Sequence, residues 1–143
     1  MGQRTYTPDK ELHFKDAGAI SADGVTQVAA ANVIKDVGAG RAEMVMLIDV
    51  TAIDIANADE EYNIIVQGSN DSGFASGIEN LAMLNLGATA ARKGGAQDST
   101  IGRYELPFPT EQDDQPYKYI RCYVDVGGTS PSIDFTAWAV VKY

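Results

Sequence analysis

The feature that most constrains this chain is the period-two alternation running from Tyr117 to Val126. Ile120, Cys122, Val124 and Val126 fall on one side, and Tyr117, Tyr119, Arg121, Tyr123 and Asp125 on the other. Successive side chains of a strand point to opposite faces, so this spacing predicts a strand with one face in a core and one aromatic, amphipathic face outward. No stretch carries the 3.6-residue period of a helix with comparable strength.

The same pattern recurs along the chain. Ser132 to Tyr143 is apolar on nearly both faces, so it belongs inside a sheet, and its lone Trp138 is expected in the core. Gly127-Gly128-Thr129-Ser130-Pro131 supplies the turn chemistry before it. As one strand, Ala42 to Asp54 would run ~40 Å at about 3.3 Å per residue, which predicts a bulge or bend within it. Glu61 to Gly68, Leu81 to Leu86 and Ile101 to Leu106 read as further strands, with Leu12 to Lys15 and Val25 to Val28 as weaker ones. Val33 to Val37 is expected to pair with the next strand through a hairpin at Gly38-Ala39-Gly40. Gly87 to Ala96 is rich in Ala, yet Gly94-Gly95 and the lack of apolar periodicity make it a loop.

Roughly seven to nine short strands with Gly- or Asp-rich connections predict an all-β fold, an antiparallel β-sandwich of the jelly-roll kind. Residues 11–143 would form this single domain. Residues 1–10, polar and carrying Arg4 and Tyr6, would form a flexible N-terminal arm that orders on a partner. The single cysteine rules out an internal disulfide, so packing or a partner must supply the stability.

Charge narrows the partners. Twenty acidic against eleven basic side chains give a net charge of -9 with no basic stripe, which argues against nucleic acid. No apolar run approaches the ~20 residues of a membrane span. The N-terminus lacks the apolar region of a secretory signal, and Tyr6 stands where a myristoylation pattern wants Ser or Thr. Synthesis in a cytoplasm is the expectation.

Catalytic chemistry is hard to assemble from these residues. The only histidine, His13, has no motif context and reads as a strand residue near a sheet edge. Cys122 alternates with core positions and reads as a small core side chain; one His and one Cys do not make a zinc site without several carboxylates. Gly38-Ala39-Gly40 starts a dinucleotide fingerprint that Glu43 and the lack of a following helix break off. Asn70-Asp71-Ser72 is a glycosylation sequon in a self-bonding loop. The acids at Asp54, Asp59, Glu60 and Glu61, and at Glu111, Asp113 and Asp114, lack calcium-loop spacing and read as solvated loops. No enzyme activity, metal or cofactor is therefore expected. What remains is a surface signal: Tyr117, Tyr119, Arg121 and Tyr123 put three tyrosines and an arginine on one strand face, a composition favoured at protein interfaces, with Arg4 and Tyr6 of the arm as second candidates.

Several phrases in order carry a family resemblance: Glu11-Leu12-His13-Phe14-Lys15-Asp16, Asp49-Val50-Thr51-Ala52-Ile53-Asp54, Gln67-Gly68-Ser69-Asn70-Asp71, Gly102-Arg103-Tyr104-Glu105-Leu106-Pro107-Phe108, Tyr119-Ile120-Arg121 and Gly128-Thr129-Ser130-Pro131-Ser132-Ile133. With them the chain resembles the capsid cement (decoration) proteins of tailed bacteriophages, of the jelly-roll kind first met in a Bordetella phage. The resemblance implies a virion structural protein on the outer capsid surface. Its partners would be the major capsid protein and a second copy of itself, as a homodimer bridging neighbouring capsid subunits, with no catalytic residues to transfer. The alternatives are a carbohydrate-binding β-sandwich module, for which Trp138 or the tyrosine row could serve as platform, and a head-completion or tail subunit. A hydrolase comes last.

Overall fold

A computed structural model of the chain describes residues 10–141. A short 3-10 turn at Lys10–Leu12 leads into fourteen strands. Six short ones come first: β1 (His13–Lys15), β2 (Ala19–Ile20), β3 (Gly24–Val25), β4 (Gln27–Val28), β5 (Ala31–Asn32) and β6 (Lys35–Asp36). Four long ones follow: β7 (Glu43–Ile53), β8 (Glu61–Ser69), β9 (Glu79–Gly87) and β10 (Gly102–Pro109). The last of the described elements are β11 (Glu111–Gln112), β12 (Gln115–Pro116), β13 (Tyr119–Gly127) and β14 (Ile133–Val141).

Two antiparallel sheets form the sandwich. Sheet one runs β1-β14-β7-β10, with β2 also on β14; sheet two runs β3-β13-β8-β9, with β6 also on β13. If β1, β3, β7, β8, β9, β10, β13 and β14 are taken as eight successive strands, the orders are first-eighth-third-sixth and second-seventh-fourth-fifth. That interleaving is the jelly roll, and the expected fold class holds. β4–β5 and β11–β12 are small accessory hairpins.

The alternation read from the sequence builds the core. Ile120, Cys122 and Val124 of β13 meet Ile64 and Val66 of β8, Met46 and Ile48 of β7, and Phe135, Ala137 and Ala139 of β14, all fully buried. The expected bulge is present: Asp134 pairs with Ala52 but Phe135 with Val50, so Thr51 is the extra residue in β7. Fully buried Tyr62 ties two connections together, its hydroxyl donating to the Asp54 carbonyl at 2.6 Å and accepting from the Ser132 N–H at 2.9 Å. Residues 88–101 form a loop, as expected from Ala88 to Ala96, while Gly87 closes β9 and the expected strand from Ile101 starts one residue later at Gly102.

Two expectations about strand pairing and core membership fail. The segment at Val33–Val37 does not form a hairpin with β7; its strand β6 pairs with β13, Lys35 opposite Ile120 and Asp36 opposite Tyr119. β6 and β7 belong to different sheets, so Gly38, at φ +90°, helps carry the chain across the sandwich. Trp138 is not in the core either. Odd positions of β14 face inward, so Trp138 lies half-buried on the outer side of sheet one, with the His13 ring stacked on it at 3.7 Å. That outer side also carries a small buried cluster of Val45, Leu47 and Val140, which is why β14 reads as apolar on both faces.

The outer edges of the two sheets differ. β10, the edge of sheet one, carries Pro107 and Pro109; β9, the edge of sheet two, contains no proline. Proline lacks the N–H that a new strand would need, so it is tolerated at an edge and blunts it.

Candidate interface on the outer face of sheet two

Tyr119, Arg121 and Tyr123 lie where the alternation puts them, half-buried on the outer face of β13, with Asp125 exposed beyond them. Tyr117 departs from this row. The chain bends at Lys118 before β13 begins, so Tyr117 turns inward against the core. Its Cβ lies 2.8 Å from where a Cβ on Gly68 would stand, so only glycine fits opposite it. The bend is held by the Asn70 side chain, which donates to the Pro116 carbonyl and accepts from the Lys118 N–H, both at 3.0 Å. Arg4 and Tyr6 lie outside the described residues.

Register brings further residues onto the face. Tyr123 stands between Val25 of β3 and Ile65 of β8, and Ile65 faces Met83 of β9. Met83 is 48% exposed, a large apolar side chain left open to solvent in the middle of the sheet edge. Beside this stripe, Arg121 pairs across to Gln67 and Gln67 to Asn80. On the other side Asp125 faces Asn63, and Asn63 faces Asn85. The face thus has an apolar centre with polar flanks, the anatomy of a protein contact.

The loop at residues 70–78 adds a side chain that sequence reasoning missed. Asp71 ties the loop to itself, its carboxylate accepting the N–H groups of Gly73 at 2.9 Å and Ala75 at 3.0 Å. Ser69 accepts the Asp71 N–H and donates to the Ser76 carbonyl. This closure drives Phe74 into a left-handed conformation, φ +53°, and brings its ring to 4.5 Å from the Arg121 guanidinium. Phe74 is 5% exposed although it belongs to a loop. Lys118 sits 5.4 Å from the Tyr119 ring and 3.7 Å from the Asp36 carboxylate, which raises its pKa.

The other candidate groups are occupied structurally. Burial pushes the Cys122 thiol up to about 12, so it is inert at neutral pH. The His13 ring lies within 2.7 Å of the Lys15 carbonyl through Nε2. Asp59 accepts the N–H and hydroxyl of Thr129, and those bonds lower its pKa. Asp54 accepts the Ala56 N–H and Glu60 that of Asn57. Among the described residues no three His, Cys, Asp or Glu side chains cluster as metal ligands, and no helix is long and apolar enough to cross a membrane. A cleft of about 650 Å³ lies along residues 15–32, but Asp16 and Asp23 there accept the backbone N–H groups of Ala29 and Val126. A second cleft, about 450 Å³, is lined by Asn70, Asp71, Ser76, Gly77, Gln115 and Tyr117.

These features define a jelly-roll β-sandwich with a half-exposed aromatic and arginine face. No family model and no curated protein matches the chain. Among solved structures it is similar to the N-terminal CBM22-1–GH10 modules of the Clostridium thermocellum endo-1,4-β-D-xylanase 10B, complexed with xylohexaose. That similarity has a TM-score of 0.37 and 10% identity over 77% of this chain, which spans 19% of the xylanase chain.

Proposed function

We propose that this chain is a capsid cement subunit of a tailed bacteriophage, binding the outer surface of the shell as a homodimer and bridging neighbouring capsid proteins. The observation that carries the reading is the outer face of sheet two, where Tyr119, Arg121 and Tyr123 lie half-exposed beside Ile65 and open Met83. The sequence resemblance supplies the partner, and the jelly-roll strand order is the fold it implies. A net charge of -9 suits the outside of a shell better than the inside, where packaged DNA repels it.

The mechanism is linkage. A clip with affinity only for the assembled, expanded shell stabilises that state by its binding free energy. Contacts that are weak singly add up once tied to one lattice. Quantitative mass spectrometry of virions of the encoding phage tests the reading by counting this chain against the major capsid protein. A copy number commensurate with the capsid protein is expected; absence from the particle refutes it, and a handful of copies moves the chain to the connector or tail.

The cleft beside Tyr117 favours one other reading, a sugar-binding module, because an aromatic ring there borders Asn70, Asp71 and Gln115. The Asn70 amide and both Asp71 oxygens already bond their own backbone, which weakens that site. A glycan array separates the two readings, since a cement subunit leaves it blank.

A further inference from the structure

Four arginines are described, and they divide by what holds them. Arg103 is paired with Asp49 at 2.6 Å, and Arg41 forms ion pairs with Glu43 and Glu111. Arg92 donates to the carbonyls of Gln97 and Asn85. Arg121 differs. Its Nε donates to the Gln67 side chain at 2.8 Å, and Gln67 is in turn anchored on Asn80 at 3.0 Å. Its guanidinium carbon lies 4.5 Å from the Phe74 ring and 5.5 Å from the Tyr123 ring. Among the described residues, no carboxylate pairs with it and its two terminal nitrogens have no hydrogen-bond partner.

Such a guanidinium is oriented before anything binds. Two aromatic rings and one side-chain bond restrict its rotation, while the terminal N–H groups, the ones that meet a carboxylate in a two-point bond, stay unused. Burial, the larger influence, pulls its pKa below the ordinary guanidinium value, so its surroundings do not repay its lost hydration. An acid arriving from outside would supply what is missing. The apolar stripe of Tyr123, Ile65 and Met83 lies one register step away, ready for an apolar neighbour of that acid.

We propose that Arg121 is a preorganised carboxylate anchor, taking an Asp or Glu side chain of the shell protein whose neighbouring apolar side chain rests on Tyr123, Ile65 and Met83. The identity of the partner rests on the cement reading; the carboxylate preference of the site does not. In a partly desolvated setting, losing a two-point charged hydrogen bond weakens binding by about tenfold to a hundredfold.

Two experiments test this. In the first, the arginine side-chain N–H resonances of the unmodified protein are followed by NMR during titration with sodium acetate, against sodium chloride at equal ionic strength. Saturable movement of the Arg121 signals beyond those of Arg41, Arg92 and Arg103 is expected; no more movement than theirs overturns the anchor. In the second, Arg121→Gln and Arg121→Lys are compared with wild type for co-sedimentation with shells assembled from the major capsid protein. Gln should lose about tenfold or more and Lys should recover part of it as a point charge. Equal binding by all three overturns the anchor while leaving the cement reading intact. If wild type ignores shells, the cement reading fails and the acetate titration alone decides the anchor.

Discussion

Lys15 offers a sharp test of how the first strands are held to the sandwich. It is 3% exposed, and its ammonium donates to three carbonyls: Asp16 at 2.9 Å, Gly18 at 2.7 Å and Phe135 at 2.7 Å. The same group lies 4.8 Å from the Phe135 ring. Burial lowers its pKa, with Asp134 and Asp16 pulling the other way. Lys15→Met keeps the apolar stem and deletes the three donors. The Asp16 and Gly18 carbonyls lie near the surface, where water replaces the ammonium at a cost of about 0.5 kcal/mol each. The Phe135 carbonyl bond is buried, and leaving that oxygen unsatisfied costs about 2 kcal/mol. The sum is about 3 kcal/mol, reduced to about 2.5 kcal/mol because the variant no longer desolvates a charge. With unfolding entropy near 2.1 cal/mol/K per residue, 143 residues give about 0.3 kcal/mol per degree, so Tm should fall by about 8 °C. Calorimetric melts of wild type and variant at pH 7 measure this. An unchanged or higher Tm would mean that desolvation outweighs the three bonds, and the account of Lys15 as a pin would be wrong.

Four other outcomes are expected, the last of them resting on the cement reading. The Cys122 thiol is raised from an ordinary 9.0 to about 12, so its contribution is complete below pH 9 and is lost as pH rises toward 12. The stability gap between wild type and Cys122→Ala should therefore narrow over that window in urea titrations; a constant gap refutes the shift. Gly128→Ala should destabilise by about 3 kcal/mol or prevent folding, because at φ +102° its Cβ would stand 2.5 Å from the Asp59 carbonyl oxygen. Gly40→Ala, with open space around it, should melt within a degree or two of wild type. Tyr119→Ala combined with Tyr123→Ala should weaken shell binding with little change in melting temperature, and a large drop would show that the row is packed as core.

The strands and their inward faces were legible because burial repeats every second residue. Ile120, Cys122 and Val124 needed no knowledge of their partners. Pairing was less legible, since it depends on which sheet each strand joins: Gly38 to Gly40 has the composition of a hairpin, yet it joins strands of different sheets. Tyr117 fits the alternation on paper, but Asn70, forty-seven residues earlier, bends the chain and turns it inward. Trp138 looked like core because β14 is apolar throughout; only the inward placing of Phe135 and Ala137 shows that it points out. For the candidate face, Tyr119, Arg121 and Tyr123 could be read directly. Ile65 and Gln67 share one side of their own strand, but their meeting with Tyr123 and Arg121 is a matter of register. Phe74 left no local signal, because a loop closed by Asp71 sets its direction.

The unequal sheet edges bear on how far copies of this chain can add to one another. Strand-by-strand growth requires two receptive edges per molecule, one to give and one to accept. Here β10 has prolines at two of its eight positions, and the opposite margins are strands of two or three residues. Only β9 offers a long margin free of proline. Its C-terminal end is already taken, the Asn85 carbonyl accepting from Arg92 and the Gly87 carbonyl from the Ser99 N–H, so a partner strand is confined to the stretch before them. A second copy joining there by its own β9 would use up the receptive edge of both, and the assembly would close at two rather than extend as a fibre. Growth through the sheets would thereby stop at two copies, whatever the concentration of the chain.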